Sequence, residues 1–315
     1  MQIKSSCGYT IIELMIAASL GVIIVTAIHS IASKTVWIVE EIKASGELLE
    51  NAQYLVGLLS RDISLAGFYG DFNYPNTTTM VPTDICESMD KKKIRQAMPF
   101  FVTGINDAAR GDRICGGEVL LSGTDIILLR QSSVIKQSPK KKLESKQFYL
   151  QGALGEFKLG RGDNPSVFSL RQGSEIAPVR VWQQTIYYVS KDNVFKRRRF
   201  LKGKYSGAEP LVDGVYDFQI EYAIRPSFSS IHCNPQQTID YLSPPLKAEQ
   251  WQQVVAVRFY FLLRSSWQGV DQAGKVFQYA GKSYAVEGGG HYALFSGIAA
   301  IMNSIPKRVE FNVEI

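Results

Sequence analysis

A chain of 315 residues with 45% hydrophobic and 20% charged side chains can bury a substantial core, and this composition excludes a disordered polymer. The formal net charge of +6 is too small an excess to imply nucleic acid by itself. Four cysteines without a CxxC pair and three scattered histidines exclude a zinc finger.

The first element in chain order is apolar. Residues 14–32 run for 19 positions without a formal charge, apart from any proton on His29, about the length needed to span a bilayer core as a helix. A secretory signal peptide has a shorter apolar stretch and ends at a small-residue cleavage site. Here the run passes directly into an amphipathic helical pattern. Leu48, Ala52, Leu55, Leu59 and Ile63 recur at three- and four-residue steps and should line one face. No proline occurs from Tyr9 to Tyr74, although Gly46 and Gly57 weaken the helix locally. A continuous helix from Tyr9 to about Ala66 is roughly 87 Å long at 1.5 Å per residue. Its outer half should lay the apolar stripe on a sheet.

Beyond the helix the pattern is strand-like. Candidate strands are 119–129, 147–150, 179–190, 194–200, 215–224, 254–264, 275–286 and 308–315, with alternation clearest in 254–264 and 308–315. Turn residues separate them at Lys191, Asp192 and Asn193, at Asp213 and Gly214, and at Gln268 and Gly269. Residues 71–84, 160–165 and 225–245 read as loops. The fold class is therefore α+β: a long N-terminal α-helix packed on a large antiparallel β-sheet domain.

Two details separate the apolar helix from a plain anchor. Glu13 is an acid four residues into the apolar stretch that starts at Tyr9, where an unpaired carboxylate is costly and such residues are usually functional. Gly8 precedes Tyr9 after a short polar stretch containing Lys4, so residues 8–13 read G-Y-T-I-I-E. This resembles the prepilin leader of type IV pilins and type II secretion pseudopilins, in which a dedicated peptidase cuts after the glycine. The new terminus is then methylated, and an acid follows at the fifth mature position. The resemblance implies cleavage between Gly8 and Tyr9, N-methylation of Tyr9 and a register role for Glu13; tyrosine stands where phenylalanine is usual. Cleavage leaves an α-amino cation at Tyr9, and the carboxylate of Glu13 can neutralise such a cation on a neighbouring subunit. That pairing fixes register where apolar packing alone lets parallel helices slide. Cys7 is not a lipoprotein site, because no apolar segment precedes it.

At the helix exit, residues 58–70 read LLSRDISLAGFYG. Arg61, Asp62, Ile63, Ala66, Gly67, Phe68 and Gly70 are similar to the R-D-I-x-x-A-G-[YF]-x-G segment of PilW-type minor pilins, themselves similar to the J-type pseudopilin of type II secretion. Residues 255–265, VAVRFYFLLRS, also resemble a late strand of that family. Read from the residues alone, Gly67 and Gly70 reverse the chain, Phe68 and Tyr69 anchor it in the core, and Arg61 and Asp62 make local ion pairs or caps. The organisation that follows is a leader (1–8), a transmembrane or filament-core helix (9–33), its amphipathic continuation (34–66) and a β-rich extracytoplasmic domain (67–315).

The resemblance implies a single-pass inner-membrane protein with a periplasmic domain, later part of a pilus tip. Its partners would be prepilin peptidase, other minor pilins, the major pilin and a PilY-type tip adhesin, in a pilus serving adhesion and twitching motility. Alternatives are a J-type pseudopilin or a DNA-uptake pilus subunit. No cofactor, metal or catalytic set is implied, because no serine–base–acid or phosphate-loop motif is present.

Cys86 and Cys115 are the disulfide candidate; a bridge there closes a loop rich in Lys, Gly and Asp and cuts its unfolded entropy by roughly 3 kcal/mol. Cys233 is then a buried thiol, with pairing to Cys86 or Cys115 as the alternative. The basic runs at 91–93, 140–142 and 196–199 could meet nucleic-acid phosphates, but they read first as solvated or edge-protecting charge. Arg161, Gly162 and Asp163 spell an integrin-like tripeptide that turn chemistry explains, and residues 288–290 form a flexible glycine connection.

Overall fold

The structure, a computed structural model, describes residues 8–70, 85–86, 90–115, 117–153, 156–225, 240–244, 246–267, 272 and 274–304. The expected strand at 308–315, the loop at 71–84, the turn at Gln268 and Gly269, and Cys7 and Cys233 lie outside these residues.

One helix, α1 (Ile11–Ser64), runs unbroken for 54 residues, about 81 Å. Thr10 caps it, and Leu65 ends it where Gly67 turns the chain with φ 75°. The expected stripe is buried without exception: Leu48, Ala52, Leu55, Leu59 and Ile63, joined by Ala44 one turn earlier. Gly46 and Gly57 face open space and do not interrupt the helix. Leu55 is wholly buried, so Leu55→Ala should cost about 2–5 kcal/mol. A thermal melt should register this as a fall in Tm on the order of 10 °C for a domain of this size.

The strands divide into two main antiparallel sheets rather than one. The chain continues through α2 (Lys91–Ala97), β1 (Val102–Ile105), β2 (Ile126–Ser132), β3 (Phe148–Ala153), β4 (Glu156–Arg161), the small hairpin β5 (Arg171–Gln172) and β6 (Glu175–Ile176), β7 (Val179–Val189), β8 (Phe195–Leu201), β9 (Lys204–Tyr205) and β10 (Glu209–Val212). Then follow β11 (Val215–Ile224), β12 (Asp240–Leu242), α3 (Ala248–Gln252), β13 (Val254–Arg264), β14 (Val276–Tyr279), β15 (Lys282–Ala285) and β16 (Tyr292–Ala300). The larger sheet runs β1-β2-β7-β3-β4, with β8 on β7 and β9 and β10 on β8; the smaller runs β12-β11-β13-β16. Both feed one core under α1, where Leu55, Leu59 and Ile63 cluster with Ile127, Tyr187 and Phe195 from the first sheet and Phe218, Phe259 and Phe261 from the second.

Asp125 clamps the two sheets together. Its backbone N–H donates to Phe218 O at 2.9 Å, and its carboxylate accepts from the N–H groups of Asp107 (2.9 Å) and Ile220 (2.7 Å). Burial pushes its pKa up to about 7, against the pull of those donors and of Lys282.

β11 and β13 have the expected bounds, and β7, β8 and β3 lie close to theirs. Elsewhere local chemistry overrides the pattern. Residues 119–129 are not one strand: Val119 and Leu120 make isolated bridges, Gly123 turns with φ 84°, and β2 starts at Ile126. Residues 275–286 form a hairpin instead of a strand, because Ala280 and Gly281 both take positive φ. Gly160 and Arg161 finish β4 rather than opening a loop. Residues 91–93, read as solvated or edge-protecting charge, begin α2, whose N-cap Asp90 accepts from Lys93 N–H at 2.8 Å while Ile94 and Ala97 are buried. β16 was not expected as a strand. It carries Gly297, where a Cβ would come within 2.6 Å of Phe259 and 3.2 Å of Val56 on α1, so a small residue is needed where helix and sheet meet.

Candidate functional site: the exposed helix and its exit

Residues 8–39 are exposed throughout, and burial of the helix against the domain begins at residue 40. By length and composition α1 is long and apolar enough to cross a membrane. Two hydroxyls of the span are satisfied inside the helix: Ser19 Oγ donates to Ile16 O and Thr26 Oγ1 to Ile23 O, both at 2.9 Å. Such back-bonding suits a bilayer or a filament core, where water is scarce.

Glu13 has a defined local role. Thr10 N–H donates to its Oε2 at 2.9 Å and Thr10 Oγ1 donates to the same oxygen at 3.0 Å, while Glu13 N–H donates back to Thr10 Oγ1 at 3.3 Å. This is a capping box, which satisfies two orphan N–H donors at the helix start. The T-x-x-E spacing of residues 10–13 is its signature, so a structural duty stands beside the expected register role. Oε1 takes no hydrogen bond among the described residues. Gly8 and Tyr9 precede the cap and are fully exposed, and a Cβ on Gly8 would meet nothing within 4 Å.

The helix exit fixes α1 to the larger sheet. Asp62 pairs with its neighbour Arg61 at 3.8 Å, as expected, but it also accepts a hydrogen bond from Tyr187 on β7. Gly67 donates its N–H to Arg130 O at 2.9 Å, and a Cβ there would strike the Phe101 ring at 2.7 Å. Tyr69 is the buried anchor, stacked on Trp182 at 5.5 Å with its hydroxyl donating to Met98 O at 2.8 Å. Phe68 is only half-buried and lies under the Arg180 guanidinium.

Residues 186–303 match the family model of PilW, described as type IV pilus-assembly protein W. The likeness to PilW thus lies in 118 of the 315 residues, within the β domain. The match begins in the second half of β7 and spans the whole smaller sheet, while the helix and its exit lie before it. A type IV-like pilin of known structure from Thermus thermophilus is similar at 12% identity, over 83% of this chain and 98% of that one, with a TM-score of 0.37. The comparison with curated proteins finds no match.

The basic run of β8 is structural. Arg197 makes a two-pronged contact with Glu209 (2.9 and 2.7 Å), Arg199 reaches the same carboxylate at 3.3 Å, and Lys196 pairs with Glu118. These charges lie on a strand bonded on both sides rather than on an edge, and carboxylates already answer three of them. Gly162 of the integrin-like tripeptide is explained by packing, since a Cβ there would approach Glu144 O to 2.2 Å. The glycine connection at 288–290 wraps Arg264, which donates to Gly289 O at 2.7 Å. Among the described residues no group of three or more His, Cys, Asp or Glu could hold a metal ion.

Cys86 and Cys115 come together with Cα atoms 4.7 Å apart and their sulfurs at bonding distance, beside Ile85, Ile114 and Tyr188. Breaking this link with Cys115→Ser should cost about 2–5 kcal/mol. Melting curves with and without reductant should then differ for the parent chain and coincide for the variant.

Proposed function

We propose that the chain is a minor pilin that helps prime pilus assembly and sits in a tip complex with other minor pilins and a tip adhesin. The observation that carries this reading is the exposed apolar half of α1, a surface that no other part of the described chain covers. Parallel packing of such helices buries it in a filament core, with the β domain left outside for contacts between unlike subunits.

In this reading the leader is cleaved after Gly8, Tyr9 is methylated, and its amine is met by Glu13 of a neighbour. One carboxylate oxygen of Glu13 caps its own helix and the other is free for that amine. The work is assembly rather than catalysis. Deleting the chain should abolish surface pili in a strain that retracts them and leave them present in a retraction-deficient strain. Unchanged piliation in the retracting strain, with secretion lost instead, would move the chain to the J-type pseudopilin role.

A further inference from the structure

The exposed apolar surface of α1 does not stop where the uncharged run stops. Val36, Trp37, Ile38, Val39 and Ile42 are all more than 40% exposed, and they continue the apolar run past Ala32. Trp37 lies five residues beyond Ala32, about 7.5 Å farther along the axis. That distance is the depth of the head-group layer outside a hydrocarbon core of about 30 Å.

The globular domain reaches down to this level at one place among the described residues. After β13 the chain turns at Ser265, whose N–H donates to His291 O at 3.0 Å, and Ser266 Oγ donates to Glu47 Oε2 at 2.9 Å. The next residue, Trp267, meets Trp37 edge to face with ring centroids 5.7 Å apart. Both rings remain partly exposed. Tryptophan, with an apolar body and one N–H donor, favours the membrane–water interface. Lys34, one turn below Trp37 and exposed, can extend its ammonium to lipid phosphates.

We propose that Trp267 and Trp37 form an interfacial anchor that seats the lower rim of the β domain on phospholipid head groups before the subunit leaves the membrane. The occupant is a lipid surface, because the patch is continuous with the apolar run and lies at head-group height. The inference rests on the reading of α1 as a membrane span. Its consequence is orientational: a helix held at two heights, by its span and by this loop, presents the domain to incoming subunits in one tilt.

The test uses the full chain in phosphatidylcholine vesicles whose acyl chains are brominated either near the head group or near the bilayer centre. The other two tryptophans, Trp182 and Trp251, are buried in the domain and serve as internal blanks. Trp37→Phe leaves Trp267 as the reporter, and Trp267→Phe leaves Trp37. Each single variant should lose fluorescence, more to shallow than to deep bromine, and the double variant should lose none. If Trp37→Phe is quenched no more than the double variant while Trp267→Phe is still quenched, the loop does not touch the membrane and the proposal fails with the span intact. If neither single variant is quenched, the span itself is wrong and the proposal falls with it.

Discussion

Gly8→Val is expected to leave the chain unprocessed, with the leader and Lys4 still attached, and to remove it from sheared pili. A side chain at this position meets nothing within 4 Å, and the residue lies before the helix cap, so the substitution leaves fold and stability unchanged. Any loss is then a loss of recognition by the peptidase. A retained leader also keeps the α-amino group away from Tyr9, where a partner's carboxylate would meet it. The measurement is the gel mobility of the membrane-bound chain beside the parent. A normally processed Gly8→Val chain would show that Gly8 does not mark the cut.

The second large effect is expected at Glu13, where two substitutions separate two duties. Glu13→Ala removes both the capping box and the charge. Glu13→Gln keeps an amide oxygen able to accept from Thr10 N–H, as glutamine does in capping boxes, while it removes the charge. Both variants should insert in the membrane and be processed largely as the parent is. Both should enter filaments poorly, because neither offers a carboxylate to a neighbour's amine. Quantitative blotting of sheared pili checks this. If Glu13→Gln assembles like the parent and only Glu13→Ala fails, capping rather than register explains the acid.

The parts of this molecule that were legible in the sequence are those where one periodicity acts alone. The stripe Leu48, Ala52, Leu55, Leu59 and Ile63 has a single apolar face to bury, and it is buried as read. β11 and β13 are central strands of the smaller sheet, and their apolar content marks both ends. What escaped is what depends on a partner. β16 carries Ala293, Gly297 and Ala299 because α1 approaches closely there, and small residues do not look like a strand until the helix is in view. α2 was hidden by its lysines, since only Ile94 and Ala97 turn inward. The hairpin at β14 and β15 keeps one alternation through both arms, so only the positive φ of Ala280 and Gly281 reveals the turn.

The candidate site divides in the same way. Gly8, Tyr9 and Glu13 stand out because an acid in an apolar run needs a reason. In the proposed assembly the partners of that run are other chains, which no internal periodicity reports. The capping box was readable from residues 10–13, yet it was masked by the stronger register argument for the same side chain. Asp62 was read as a local group because its partner, Tyr187, is 125 residues away in sequence.

The measurement that bears most directly on assembly through α1 is the intact mass of this chain recovered from sheared pili. The expected result is a chain that begins at Tyr9 and carries one added methyl group. A chain found only in the membrane fraction, or one in the filaments that still begins at Met1, would contradict it.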